Sequence, residues 1–185
     1  MKVGIFGGVF NPPHLGHLMI AQQILDFTNI DEVWFLPNYG QMPPKPGVAA
    51  AHHRVAMTKL LTLPRSKVST LEIDHKLNGD TINLLPYLPK NNTYTFIMGA
   101  DQLQHFHLWG QWETLLVQMP FLIFPRIGHA NSLLRHHMKM LAHPLLIISD
   151  ISSTKIRERV AAGLEIDTFI VDDVAEYIKR NRLYR

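Results

Sequence analysis

The chain has 185 residues, no cysteine, 18 Lys and Arg against 15 Asp and Glu, and a formal net charge of +3. That length suits a single domain spanning 1–185 with one continuous apolar core, and the lack of cysteine excludes disulfides, thiolate nucleophiles and Cys-based zinc sites, in keeping with a cytoplasmic location. The mild positive charge fits a small phosphorylated partner and not nucleic acid, because there is neither a Lys/Arg tract nor a run of interleaved aromatics, and the MKVGIFGGVF opening is too short and glycine-broken for a signal peptide or a membrane span.

Short runs rich in β-branched and aromatic residues predict strands at Lys2–Phe6, Glu32–Leu36, Lys67–Ile73, Tyr94–Met98, Phe121–Phe124 and Leu145–Ser149. Helical spacing lies between or after them, at Leu18, Ala21 and Leu25, at Val55, Lys59 and Leu60, and at Val174, Tyr177 and Ile178. The Asn38–Ala51 stretch, rich in Pro and Gly, reads as a loop or flap, and 128–143 with its four histidines as a weak helix. Strands alternating with helices imply an α/β fold, a Rossmann-like parallel sheet with helices on both faces. Such sheets bind ligands at the carboxyl ends of their strands, so the chemistry should sit just after strands.

The first strand runs into Gly7-Gly8, where missing side chains allow close backbone approach and conformations closed to other residues. Asn11 can cap, and Pro12 can open, a following helix whose N-terminus would favour a phosphate. His14 and His17, three apart, would share one helix face and donate to the same anion. Neither GxGxxG nor GxxxxGK[ST] spacing is present, which excludes the usual dinucleotide and P-loop signatures.

A second cluster follows Leu145–Ser149: Asp150-Ile151-Ser152-Ser153-Thr154, then KIRERVAAG as a helix. Any of Ser152, Ser153 or Thr154 could be the cap, and none is followed three residues later by Glu or Gln. Lys155 and Arg157 instead occupy the first turn, where the helix dipole disfavours cations unless an anion is bound. A polyphosphate would satisfy them. Asp101, after a strand and Gly99-Ala100, suits either a ribose hydroxyl pair or a helix cap, and Trp109 and Trp112 offer faces for an aromatic ring or for the core. The paired histidines 52–53, 105/107 and 136–137 lack the i, i+4 spacing of a helical zinc pair, so no protein-held metal is expected.

GIFGGVFNPPHLGH at 4–17 together with ISSTKIRER at 151–159 resembles the nucleotidyltransferases of the HxGH type, and among them the bacterial nicotinate mononucleotide adenylyltransferases. HHRVAM at 52–57, FIMGADQL at 96–103, LWGQW at 108–112, PRIG at 125–128 and VAEYIKRNRLYR at 174–185 extend the likeness over nearly the whole chain. The resemblance implies ATP bound with Mg²⁺ and a pyridine mononucleotide whose phosphate attacks the α-phosphorus in line, releasing pyrophosphate without a covalent enzyme intermediate. It implies that Gly7, Gly8 and Phe10 lie along the nucleotide, that His14 and His17 contact its phosphates, and that Ser153, Thr154 and Arg157 hold pyrophosphate. Gly99 and Asp101 would meet the adenosine ribose; Asp80, Thr81 and Trp109 would meet the acceptor, with Trp109 stacked on the pyridine ring.

Three positions depart from the family pattern: Asp80 stands where an aromatic residue usually precedes Thr81, Pro43-Pro44-Lys45-Pro46 replaces Pro-Pro-His-Lys, and Asn11 replaces a common Asp. Nicotinamide mononucleotide or phosphopantetheine are alternative acceptors, a nucleotide-binding sensor is the non-enzymatic alternative, and oligomeric state is left open.

Overall fold

The computed structural model describes residues 1–40, 47–61, 63–129 and 133–185. Its strands are β1 Lys2–Gly8, β2 Glu32–Pro37, β3 Ser66–Val68, β4 Thr93–Gly99, β5 Phe121–Phe124 and β6 Met138–Met140. They form one parallel sheet in the order β3-β2-β1-β4-β5-β6. The order reverses direction between β1 and β4, which opens a crevice at their carboxyl ends. Gly7-Gly8 and Gly99 are the residues that end there.

The sheet is buried on both faces because its central strands carry continuous apolar runs such as Val33–Leu36 and Phe96–Met98, and the strand period of two sends alternate residues to opposite sides. Val3, Ile5, Trp34, Leu36, Phe96, Met98, Phe121 and Ile123 face one cluster. That cluster is closed by Leu84 and by Leu103 and Phe106 from the 3₁₀ helices Thr81–Tyr87 and Ala100–Leu108, and by Leu115 of α4 (Trp112–Gln118). Phe6, Val33, Phe35, Ile97, Leu122 and Phe124 face the other side, covered by Ile20, Ala21, Ile24 and Leu25 of α1 (Leu15–Phe27). Ile24 is fully buried, so its truncation to Ala would cost about 2–5 kcal/mol.

A third cluster joins Met57 of α2 (Ala51–Lys59), Ile156 of α5 (Ser153–Ala161) and Val174 and Ile178 of α6 (Asp172–Arg180). In α6 the apolar pair is four residues apart, with Asp172 and Asp173 in the first turn and Lys179 and Arg180 in the last, so charge agrees with the helix dipole. This cluster fixes α5 against the rest of the molecule.

Three expectations need correction. The sixth strand is Met138–Met140, inside the stretch expected to be helical, and it pairs with Phe121–Ile123. Met138 and Met140 are half-buried with Lys139 exposed between them, an alternation that histidine-rich surroundings disguised. Leu145–Ser149 is not a strand: Leu145 and Ile147 are exposed, and the Gln23 side chain holds the Ile147 backbone at both N–H and C=O. Finally, Lys67–Ile73 is extended only to Val68, after which Thr70 O accepts from Ile73 and Asp74 and starts the short helix α3 (Leu71–Asp74).

Candidate active site

At the end of β1, Gly7 is required by packing: a Cβ there would lie 2.6 Å from Phe96 Cζ, and at Gly8 one would lie 3.2 Å from the Phe10 ring. The left-handed residue is Phe10, with φ 49°, and not either glycine. Nor does Asn11 cap the helix. Leu15 begins α1, and its N-cap position is taken by His14.

His14 therefore stands just before the helix and His17 within its first turn. The His14 N–H donates to His17 Nδ1 at 3.1 Å, the rings lie 3.8 Å apart, and His17 rests on Phe10 at 4.9 Å. With Nδ1 accepting, neutral His17 carries its proton on Nε2 and offers a donor there. Gly16 is set by the same ring: a Cβ would come within 2.9 Å of His14 Nδ1, a buried nitrogen that has no hydrogen-bond partner among the described residues. Burial, and secondarily the Arg126 charge, lowers the His14 pKa to about 3. His17 is also held well below its ordinary value, by burial first and then by His14 and Arg126. Both imidazoles are neutral at pH 7, in a site that favours an incoming anion.

The second cluster docks directly on this loop. Ser152 is the cap of α5, its Oγ accepting the Lys155 N–H at 3.2 Å. Ser153 Oγ donates to Pro12 O at 2.8 Å, and Arg157 donates to Asn11 O at 2.8 Å and to Thr154 Oγ1 at 3.3 Å. The helix start does supply one anion: Asp150 pairs with Lys155 at 2.8 Å, contrary to the expectation that both cations await a ligand. Arg157 meets only neutral oxygens among the described residues.

Across the crevice, a Cβ at Gly99 would strike the Asp101 carboxylate, which folds back over the strand end and pairs with Arg126 at 3.6 Å. The Asp80 carboxylate accepts from Asn78 Nδ2 at 2.9 Å and lies 2.9 Å from where a Gly110 Cβ would be. Thr81, beside it, is buried. Trp109 is half-buried and meets Phe96 edge-on at 5.7 Å, the same ring that crowds Gly7. The sites expected from sequence thus fall along the carboxyl edge of β1 and β4. Lys45 lies outside the described residues.

Residues 5–159 match the cytidylyltransferase-like family model. The chain is 35% identical to the nicotinate-nucleotide adenylyltransferase of Bacillus subtilis, over 99% of this chain and 98% of that protein. It is 37% identical to a probable nicotinate-nucleotide adenylyltransferase of Caldicellulosiruptor saccharolyticus, over the whole of both. The chain belongs to the nicotinate-nucleotide adenylyltransferase family. A solved Plasmodium falciparum nicotinic acid mononucleotide adenylyltransferase complexed with NaAD shares the fold, with a TM-score of 0.84 and 24% identity over 99% of this chain and 97% of that one. The protein is accordingly a nucleotidyltransferase with the Rossmann-like sheet of that family.

Two arginines of this adenylyltransferase had been given no role. Buried Arg54, on α2, donates to Val9 O (2.9 Å), Asn38 O (2.7 Å) and Oδ1 (3.1 Å), Tyr39 O (3.1 Å) and Ala49 O (3.0 Å), binding both ends of the 38–51 loop to the end of β1. Arg126 follows β5, and its buried Nε has no hydrogen-bond partner among the described residues. The sequence signal for Arg126 was its place just after a strand on the ligand-binding edge. For Arg54 the sequence offered only its place in the HHRVAM run, with no role, because a charge inside a helical segment normally reads as a solvated face.

Proposed function

We propose that the enzyme joins nicotinate mononucleotide to the adenylyl group of ATP, giving deamido-NAD and pyrophosphate. The observation that carries this reading is the docking of α5 on the loop that precedes His14 and His17, through Ser153 to Pro12 and Arg157 to Asn11, which supports a common role in phosphate binding for the paired imidazoles, the start of α5 and the guanidinium. An oxygen of the acceptor phosphate attacks the α-phosphorus, the bond to the bridging oxygen breaks, and pyrophosphate leaves with that electron pair. The nucleophile belongs to the substrate, so the protein's work is alignment and charge stabilisation.

His14 and His17 donate to the phosphate undergoing substitution; Ser153, Thr154 and Arg157 hold the departing pyrophosphate. Gly8 and Phe10 line the nucleotide, Gly99 and Asp101 meet the ribose, and Asp80, Thr81 and Trp109 receive the pyridine end. Among the described residues no three His, Asp or Glu are grouped to cage a metal, and the donors present suit phosphate oxygens. Mg²⁺ bound with ATP would be held mainly by phosphate oxygens and water and would supply charge neutralisation on the leaving group, beside the roles of Ser153, Thr154 and Arg157. Among the described residues no helix is long and apolar enough to cross a membrane.

The test is incubation of the protein with MgATP and either nicotinate or nicotinamide mononucleotide, followed by measurement of pyrophosphate and dinucleotide. Deamido-NAD formed faster than NAD is the expected result, and absence of pyrophosphate with both acceptors sinks the reading.

A further inference from the structure

Asn11 is 2% exposed, and its amide has a partner on every side. Oδ1 accepts from the Ala49 N–H at 2.9 Å and from the Tyr184 hydroxyl at 2.8 Å, while Nδ2 donates to Gly47 O at 3.1 Å. Its main-chain oxygen accepts from Arg157 at 2.8 Å. One residue of the phosphate loop thus ties together the 47–49 segment, α5 and the segment after α6. Two donors on one side and a carbonyl on the other determine how the amide is turned.

Tyr184 is half-buried and sits at φ 65°, a backbone region unfavourable for a bulky side chain, so its place is held by its surroundings. Burial raises the pKa of its hydroxyl, which stays a neutral O–H donor beside Arg54 and Arg157. Its side-chain hydrogen bond among the described residues is to Asn11, the residue whose carbonyl Arg157 grips. Asn11 in turn lies between Phe10 and Pro12, and three residues before His14, so a displaced Asn11 would move the Arg157 and Ser153 anchors together with the histidine.

We propose that Tyr184 is a positioning residue for adenylyl transfer: by donating to Asn11 it fixes the amide that spaces the 47–49 segment from the phosphate loop. The choice of an amide at position 11 belongs to the same device. A carboxylate there would keep the two acceptor contacts but would turn an oxygen toward Gly47 O in place of a donor. The inference rests on the adenylyltransferase reading.

Tyr184→Phe removes the hydroxyl and keeps the ring. Measured with MgATP and nicotinate mononucleotide, it should lower kcat/KM for ATP about tenfold, the scale of one lost hydrogen bond, while the thermal midpoint stays within about 3 °C of wild type. Asn11→Asp should show a loss of similar size, and Asn11→Asp with Tyr184→Phe should lose less than the product of the two singles. A lowered thermal midpoint with unchanged kcat and KM would mean that the hydroxyl only stabilises the fold, and would overturn the proposal. Wild-type protein that turns over with neither acceptor overturns the reading beneath it, whereas an active wild type with an equally active Tyr184→Phe overturns the positioning role alone.

Discussion

The two sides of the crevice are built in different ways. On the phosphate side the decisive bonds join residues far apart in the chain: Ser153 to Pro12, Arg157 to Asn11 and Tyr184 to Asn11 are separated by 141, 146 and 173 positions. On the acceptor side they are local, with Asn78 bonded to Asp80, Asn83 to Asn78, and Trp109 N–H to Phe106 O. The geometry around His14, His17 and Arg157 is therefore a property of the whole fold, held by its core clusters. That around the acceptor is a property of two turns. Substitutions on the first side should change the rate of the chemistry, and those on the second should change which acceptor is used.

The largest effect is expected at Arg157. Arg157→Ala removes the cation proposed to hold the departing pyrophosphate and should lower kcat by about 10²–10³. Arg157→Lys, which keeps charge but loses the planar fork that reaches both Asn11 O and Thr154 Oγ1, should recover only part of it. Steady-state kinetics with saturating nicotinate mononucleotide would measure both. A loss under about tenfold for Arg157→Ala would break the comparison, because the phosphate side would then not depend on its long-range anchor.

A smaller loss should follow Gly16→Ala. The added methyl would need space 2.9 Å from His14 Nδ1, so the His14 ring must tilt away from His17. A kcat reduced by about tenfold to a hundredfold is the scale for a misaligned catalytic group. Unchanged kcat would show that the stacked geometry of the two imidazoles is incidental.

The contrast between the two sides also explains what was legible in the sequence. Gly7, Gly8, His14, His17 and the Ser152–Arg157 run announced the phosphate side because each needs a residue type that few other structures demand. What they did not reveal was the reason for each. Gly7 yields to the Phe96 ring, a contact across the fold, Gly16 yields to the nearby His14 ring, which only the turn of the chain at the helix start brings over it, and Asn11 anchors three segments instead of capping a helix. The parallel sheet was legible in the alternation of strands and helices, except at its edge, where three-residue β6 carries too short a pattern to compete with neighbouring histidines. The role of Arg54 was not legible because all its acceptors are backbone oxygens or a side-chain amide, which leave no charge partner to be seen in the sequence.

Acidification should act on the phosphate side selectively. In the unfolded chain His14 and His17 titrate near 6.5, whereas the folded His14 titrates near 3 and His17 well below its usual value. Between these limits the unfolded state binds more protons, so stability falls as pH drops below about 6.5, approaching roughly 1.4 kcal/mol per pH unit for each histidine. Urea midpoints at pH 7.5 and 5.5 should differ more for wild type than for a His14→Gln, His17→Gln variant. Pyrophosphate should narrow the wild-type gap, since an anion favours the imidazolium. Equal pH sensitivity in the two proteins would place the acid-labile groups elsewhere.

The smallest effect should come from Asp80, and it bears most directly on the acceptor side. Its carboxylate is held by Asn78 and packed on Gly110, next to Trp109, so Asp80→Asn keeps the hydrogen bond from Asn78 Nδ2 and the fit against Gly110 while removing one negative charge. A charge at that half-exposed turn would disfavour a nicotinate carboxylate relative to an amide by about 1 kcal/mol, or roughly fivefold. Asp80→Asn should accordingly raise the ratio of kcat/KM for nicotinate over nicotinamide mononucleotide by about that factor, with kcat for the better acceptor little changed. An unaltered ratio would show that the turn shapes the pocket through its backbone alone, and that acceptor choice does not depend on the one feature by which this chain departs from its family there.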